Sequence, residues 1–445
     1  MSKPIFTVSG LRGIVGQDLL PELVTNYAFS FGSFLKAKKI AIGRDTRLSG
    51  PILFHAAVAG LFSAGCSVYD FDICPTPAII MMVKKLNLDG GIQITASHNP
   101  KEYNGLKFIS HQGTLLFEEQ IEQFKKYIDH KKDNLFTTIN SSASLYRRNI
   151  LDAYLQQIVS SKYFRNIPKR NFRVGIDSCN GAAEEFAIKL VKMLGATPIS
   201  IKKDQTIFPR KPEPTPGNLR RLSSAIRRQK LDFGIAFDPD ADRFACVDEQ
   251  GIPLSEEASV LLAIQFILEQ KKGPVVVNNS TTMAVEDICS KFGVPVYRSK
   301  VGEANVIKKM LEIKAVVGGE GNGGVIIPEI NLARDGLVAT ALLLKLLSKR
   351  NCPLSVIRKE LPQYFIEKKI VYKFYSNWES RIRKHFRDEP RFKFDTQDGL
   401  KVIGEKFWIL IRKSRTEPVL RIIAESNSKI LTKKLITEVT ENITY

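Results

Sequence analysis

The chain has 445 residues, 44% of them hydrophobic, and Lys and Arg outnumber Asp and Glu by 66 to 46, for a net charge of +20. This composition is globular rather than low-complexity, and length alone suggests about three domains. No apolar run reaches the roughly 18 residues of a membrane span, and MSKPIFTVSGLRG lacks the layout of a signal peptide, so a cytoplasmic protein is expected.

Short β-branched runs alternate with helical stretches along most of the chain, the mark of α/β units built on parallel strands. In the first unit KIAIGRDT (39–46), VYDFDIC (68–74) and GGIQITAS (90–97) read as strands, with helices such as GPILFHAAVAGLFSAG between them. A second unit opens at FRVGIDSCNGAA (172–183) and closes at LDFGIAFDPDADR (231–243). A third follows the amphipathic helix SEEASVLLAIQFILEQKK (255–272), begins its strands at PVVVNN (274–279), and continues through VYRSKVGEANV and AVVGGEGNGGV. Beyond residue 365, EKKIVYKFY, DGLKVIGE, FWILIRKS and EPVLRIIAES read as antiparallel strands, followed by the helix KILTKKLITEVTENI. The expectation is an α/β protein: three similar α/β domains with mixed sheets at 1–148, 149–254 and 255–364, and a smaller C-terminal α+β domain at 365–445. Ligands bind at the carboxyl ends of strands in such sheets, so four loops are expected around one central cleft.

The first loop, TASHNPKEYNGLKF, sets Ser97 beside His98. Adjacent side chains of an extended segment point to opposite faces, and no GxSxG elbow is present, so the two do not read as a nucleophile and its base. With Lys107 in the same loop and Arg12 in the glycine-flanked GLRGIVG, Ser97 suits a phosphate ester; a plain turn at Asn99-Pro100 is the alternative. In DPDADR (238–243), Asp238, Asp240 and Asp242 would share one face of an extended segment and repel unless a cation sits among them. Oxygen-only ligands suit Mg²⁺, and Arg243 could clamp a phosphate. GGEGNGG (318–324) offers Glu320 and Asn322, a pair suited to sugar hydroxyls, or else a flexible turn. RKSRTEPVLR (412–421) gathers Arg412, Ser414, Arg415 and Thr416, either as a phosphate site or as an exposed basic hairpin.

The six cysteines, at 66, 74, 179, 246, 289 and 352, form no CxxC pair and are expected as buried reduced thiols. The positive charge is densest at 163–172, 220–229 and 378–392 and would draw phosphorylated metabolites or nucleic acid. No zinc-finger or RNP-type pattern supports nucleic acid, and a general lysine bias is the alternative.

Taken in order, the four loops resemble the α-D-phosphohexomutase superfamily over the full chain: TASHNP with the downstream Asn104-Gly-Leu-Lys107, then DPDADR, GGEGNGG and RKSRTEP, with PEPTPGNL (212–219) as a further similar segment. The resemblance implies a phosphohexose mutase of the isomerase class, which moves phosphate between C6 and C1 of a hexose phosphate through phospho-Ser97 and a hexose 1,6-bisphosphate. It implies Mg²⁺ held by Asp238, Asp240, Asp242 and the Ser97 phosphate, and sugar hydroxyls held by Glu320 and Asn322. It further implies the non-reacting phosphate on Arg412, Ser414 and Thr416, with Arg415 beside them, and Arg12, Lys107, His98 and Arg243 near the reacting oxygen. SGLRGIVG and GGEGNGG look closest to phosphoglucosamine mutases and to archaeal-type phosphomannomutase/phosphoglucomutases. Glucosamine phosphate is therefore the expected substrate, mannose or glucose phosphate the alternative, and a Mg²⁺-dependent sugar phosphatase a more distant one. A hexose phosphate is the expected partner, with no specific nucleic acid and no membrane. Two departures stand out. Some members carry Ser and His in the sugar loop, as GEMSGH or GEQSGH, where this chain has Asn322 and Gly324; and Arg415 stands where Gly or Asn is usual.

Overall fold

The computed structural model describes residues 4–130, 143–167, 170–201, 207–387, 392–414 and 419–444. Its first three units repeat one four-strand pattern. The first strand lies inside the sheet. The second pairs with it in parallel on one side and the third in parallel on the other, and the fourth returns antiparallel to the third. In the first unit these strands are Lys39–Arg44, Ser67–Ile73, Gly90–Ile94 and Tyr103–Ser110. Gly10–Ile14 and Ile5–Thr7 extend that sheet beyond the fourth strand, and Leu145–Arg147 extends it beyond the second. The second unit uses Arg173–Asp177, Thr197–Ser200, Phe233–Phe237 and Phe244–Val247. The third uses Val275–Asn278, Val296–Ser299, Val317–Glu320 and Gly324–Ile326.

The repeat explains where the candidate loops fall. Each occupies the same connection, the hairpin from third to fourth strand at the carboxyl end of a parallel strand. These are residues 95–102 with Ser97, 238–243 with the Asp triplet, and 321–323 beside Glu320. The strands leading into the second and third hairpins, FGIAF and VGGE, are buried at every position. Backbone groups there have no water to turn to, so the ladder hydrogen bonds must be made and the hairpin roots are rigid.

One continuous core joins the three units, with Ile79, Ile176, Phe237, Val277 and Leu343 all part of it. Each such side chain contributes about 1.5–3 kcal/mol on burial, which is what holds the three sheets together. The helix Gly336–Arg350 runs through this core. Asp335 caps it, accepting the Leu337 and Val338 N–H groups at 3.0 Å, and Asn351 ends it in the left-handed conformation. The fourth unit is a five-stranded antiparallel sheet with its own core, including Ile382, Ile409, Ile422 and Val439.

Several elements differ from the sequence expectation. The strand GGIQI stops at Ile94, which leaves Ser97 in a turn, and the helix expected at 255–272 spans Ala258–Leu268. YNGLKFIS, taken as loop, is a buried strand, so Lys107 projects from a sheet. The cysteines are all unpaired, five buried and Cys352 half-buried. Among the described residues no helix is long and apolar enough to cross a membrane.

Candidate active site

Ser97 sits in the first hairpin with φ +50°, a left-handed conformation that costs a non-glycine residue about 1–2 kcal/mol. Its N–H donates to Thr95 Oγ1 at 2.9 Å, and its carbonyl accepts Arg47 Nη2 at 2.7 Å. So held, the buried hydroxyl donates to Asp238 Oδ2 at 2.9 Å. His98 Nδ1 lies 3.4 Å from the same Oγ. Burial, with Arg243 and Arg12 nearby, holds the imidazole pKa well below its ordinary value, which favours the neutral ring. Arg12 reaches this loop from the strand Gly10–Ile14, donating to Asn99 Oδ1 at 2.9 Å. Burial lowers the Arg12 pKa, against the pull of Asp240 and Asp242.

The Asp triplet was expected on an extended segment, with alternation bringing its side chains to one face. The structure shows a tight turn instead. Ala241 adopts φ +59°, and its N–H returns to the Asp238 carbonyl at 3.1 Å. That turn gathers carboxylate oxygens of Asp238, Asp240 and Asp242 within 4.8 Å of one another, all three buried. At that separation each like-charged pair repels by about 3–4 kcal/mol for an effective dielectric near 20. Two cations offset part of this. Lys107 Nζ donates to Asp240 Oδ2 at 2.6 Å and Asp242 Oδ2 at 2.7 Å, and Arg334 Nη2 donates to Asp242 Oδ2 at 2.7 Å. Burial alone would lower the Lys107 pKa, but the two aspartates outweigh it and the ammonium is held charged. Asp242 faces the same contest, and Arg334 and Lys107 win it, pulling the Asp242 pKa down. Asp238 has neither cation in direct contact; burial and the repulsion of Asp242 and Asp240 push its pKa up.

Asp240 Oδ1 and Asp242 Oδ1 are buried with no hydrogen-bond partner among the described residues. Buried carboxylate oxygens left unpaired are costly, and all-oxygen donors in a cluster suit a hard divalent cation. The triplet fits a metal ion.

Glu320 is the last residue of its strand and is buried. Its carboxylate accepts Asn278 Nδ2 at 2.6 Å, the Gly302 N–H at 2.9 Å and Arg334 Nη1 at 2.7 Å. Asn322 stands half-buried at the hairpin tip. Gly323 has φ +90°, and a Cβ there would lie 2.4 Å from the Phe244 carbonyl oxygen, so glycine is required. The close approach serves a bond: the Phe244 N–H donates to the Gly323 carbonyl at 3.0 Å, tying this hairpin to the metal-loop hairpin.

Arg243, expected as a phosphate clamp, is ion-paired with Glu213 of the PEPTPGNL segment, while its N–H donates to Asp238 Oδ1 at 3.0 Å. Arg412 projects from the strand Phe407–Lys413, its Nη1 3.3 Å from Asp398 Oδ2. Ser414 follows, its N–H bonded to the Val419 carbonyl at 2.9 Å. Arg415 and Thr416 lie outside the described residues. A cavity of about 880 Å³ unites what the sequence separates: Ser97, His98, Arg12, Lys107, Arg243, Glu320, Asn322, Arg412 and Ser414 all line it.

Sequence reasoning missed four side chains that hold this site. Arg47 supports the Ser97 turn, Thr76 donates to Asp240 Oδ2 at 2.5 Å, Arg334 bridges two loops, and Glu303 pairs with Arg334. Only Arg47 had a readable signal, since RDTR follows the strand KIAIG as the other loops follow theirs.

Three equivalent hairpins and a fourth cationic one, converging on a single cavity, are the architecture of a phosphohexomutase. Models of the phosphoglucomutase/phosphomannomutase family match nearly the whole chain: α/β/α domain I over residues 3–135, domain II over 152–251, domain III over 255–365 and the C-terminal domain over 376–442. The chain belongs to this family, within the α-D-phosphohexomutase superfamily, and is an enzyme that transfers phosphate within a hexose phosphate. It is similar to a phosphoglucomutase/phosphomannomutase of Thermococcus kodakarensis, 34% identical over 96% of this chain and 95% of that one. A phosphoglucosamine/phosphogalactosamine mutase of Sulfurisphaera tokodaii is 32% identical over 98% of each. Among solved structures, a phosphoglucomutase/phosphomannomutase family protein of Burkholderia thailandensis superposes with a TM-score of 0.87 at 26% identity, covering 99% of this chain and 97% of that one.

Proposed function

We propose that the chain interconverts the 6- and 1-phosphates of a hexosamine, glucosamine phosphate first, with phospho-Ser97 as the phosphoryl carrier. The observation that carries this reading is the Ser97 hydroxyl resting on Asp238 inside a cavity that also presents Glu320 and Arg412. Several relatives named for glucosamine phosphate match over almost their full length, which favours that sugar over mannose or glucose phosphate.

In this reading the phosphorus–Oγ bond of phospho-Ser97 breaks as a bond forms from phosphorus to the oxygen of the free sugar hydroxyl, and the proton that hydroxyl gives up ends on the freed Ser97 Oγ. The product is a hexose 1,6-bisphosphate, which turns around and returns its other phosphate to Ser97. Arg12, Lys107, His98 and Arg243 surround the reacting oxygen with fixed charge and hydrogen-bond donors, which is most of what phosphoryl transfer asks of a protein. Glu320 and Asn322 hold sugar hydroxyls. Arg412 and Ser414, with Arg415 and Thr416, hold the phosphate that is not reacting, and must accept it from either end of the sugar. Asp238, Asp240, Asp242 and the Ser97 phosphate would hold Mg²⁺, which neutralises charge on the phosphoryl oxygens when bound. Buried, unpaired thiols suit a reducing compartment, the cytoplasm.

The test is an isomerisation assay on the wild type and Ser97→Ala, with the Ser97 phosphate followed by mass spectrometry. Abolished turnover in the variant is expected. Full mutase activity in Ser97→Ala would sink the carrier role, and net phosphate release exceeding isomerisation would point to a phosphatase. Comparing kcat/KM on glucosamine, mannose and glucose phosphates decides the sugar.

A further inference from the structure

Arg334 lies between the strand Gly324–Ile326 and the helix Gly336–Arg350, and the reading above gives it no role. Its buried guanidinium spans two carboxylates on different hairpins. Nη2 donates to Asp242 Oδ2 and Nη1 to Glu320 Oε2, both at 2.7 Å. Glu303 steadies it from behind. The Arg334 N–H donates to Glu303 Oε1 at 2.9 Å, and Nε faces Glu303 Oε2 at 3.4 Å. Nη1 also lies 3.5 Å from Asn322 Oδ1, so one side chain faces both candidate sugar contacts.

The stem of Arg334 runs through space that only a glycine leaves open. A Cβ on Gly324 would lie 2.2 Å from Arg334 Cδ and 2.9 Å from Cγ. Position 324 is where the sequence departs from GEMSGH-type loops, and the structure shows what fills the vacated space.

Asp242 and Glu320 belong to different sheets, so their separation would follow any shift of one sheet against the other. A guanidinium is a planar fork with fixed spacing between its donors, and two bonds to separate carboxylates hold both at a set distance. A lysine ammonium at the same place is a point charge on a flexible stem. We propose that Arg334 is a positioning residue for phosphoryl transfer: it locks the Asp242 hairpin to the Glu320 hairpin at one separation, and Gly324 is kept bare so that it can. This rests on the reading that Asp242 serves the phosphate end and Glu320 the sugar end of one substrate. Arg334 lines the cavity, but its Nη donors are committed to Asp242 and Glu320, so reacting geometry depends on it through those two carboxylates.

The first test uses Arg334→Lys, which keeps a cation among the three carboxylates so that the fold survives. The readouts are kcat and KM with glucosamine 6-phosphate or glucose 6-phosphate, the Tm, and Ser97 phosphorylation by glucose 1,6-bisphosphate, read by intact mass. A misplacement of this kind costs about tenfold to a hundredfold. That loss is expected in kcat, with KM changed much less and Tm near wild type. A rise in KM with unchanged kcat would make Arg334 a binding residue only, and a lower Tm with unchanged kcat would make it merely structural; either overturns the proposal. The second test is a cycle with Gly324→Ala. In the wild-type background the new methyl must displace the Arg334 stem and cost kcat as Arg334→Ala does. In an Arg334→Ala background it should cost little more, and additive losses would overturn the interlock. Wild-type protein that neither isomerises hexose phosphates nor accepts phosphate on Ser97 would instead remove the underlying reading. Wild type active with Arg334→Lys indistinguishable from it removes only this inference.

Discussion

Arg47 makes a sharp prediction, because it holds the Ser97 turn without touching the cavity. It is 1% exposed and uses its whole fork. Nε donates to Asp45 Oδ2 at 3.0 Å, Nη2 to the carbonyls of Ser97 at 2.7 Å and Asn99 at 2.8 Å, and Nη1 to those of Pro100 at 2.5 Å and Tyr103 at 2.8 Å. Asp45 in turn accepts the Thr95 hydroxyl at 2.6 Å. In Arg47→Lys the charge opposite Asp45 remains, but one ammonium has three donors and cannot reach four carbonyls and a carboxylate. At least two carbonyl bonds are lost. At roughly 1–1.5 kcal/mol each, with some desolvation cost for carbonyls left buried, the loss is about 2–4 kcal/mol. That exceeds the cost of the left-handed Ser97 conformation, so the turn no longer has one preferred shape. Urea unfolding should show the full loss. Hydrogen exchange should show amides across 95–103 exchanging faster, ahead of the surrounding strands. Stability within about 0.5 kcal/mol of wild type, with unchanged protection of these amides, would refute the reasoning, since surface-like substitutions fall in that range.

Two further perturbations test the electrostatics. Burial pushes the Glu257 carboxyl from 4.5 up to about 8, against the Thr282 N–H that its Oε2 accepts at 3.1 Å. An acid whose folded pKa is raised carries a proton that the unfolded chain releases, so its stabilisation is present below pH 4.5 and is lost as pH rises to about 8, by at most about 1.4 kcal/mol per unit. Glu257→Gln should therefore gain stability relative to wild type between pH 5 and pH 8.5 in urea titrations; a gap constant with pH contradicts the burial argument. Lys107→Met leaves Asp240 and Asp242 short of a buried counter-charge, and breaking such a pair costs about 3–5 kcal/mol. Added Mg²⁺ should raise the Tm of Lys107→Met more than that of wild type, and equal shifts would argue against a cation site at the triplet.

What the sequence disclosed and what it hid follow from the range of each interaction. The four loops were legible because each places polar residues directly after a short apolar strand, a signal carried by neighbours in the chain. The Asp triplet was found for its composition but given the wrong backbone: the turn depends on Ala241 in a left-handed conformation, which alanine does not advertise. Lys107 was assigned to a loop because its strand is buried at every position after Tyr103, which erases the alternation that marks a half-buried strand. Arg334 and Thr76 reach partners 92 and 164 positions away, so nothing local reports them; Arg47, whose partner lies 50 positions away, had only its place after the strand KIAIG to mark it. The hairpin equivalence was hidden for another reason. TASHNP, DPDADR and GEGNGG share no common motif, as the proposed function would require of loops that each meet a different part of one substrate, while the strands that bear them need only be apolar. A repeated scaffold with divergent tips delivers different groups to one point from three directions. Their relative placement then rests on contacts between tips: the Phe244 bond to Gly323, and Lys107 and Arg334 against the triplet. Substitutions at those contacts should disturb chemistry more than comparable ones inside any single sheet.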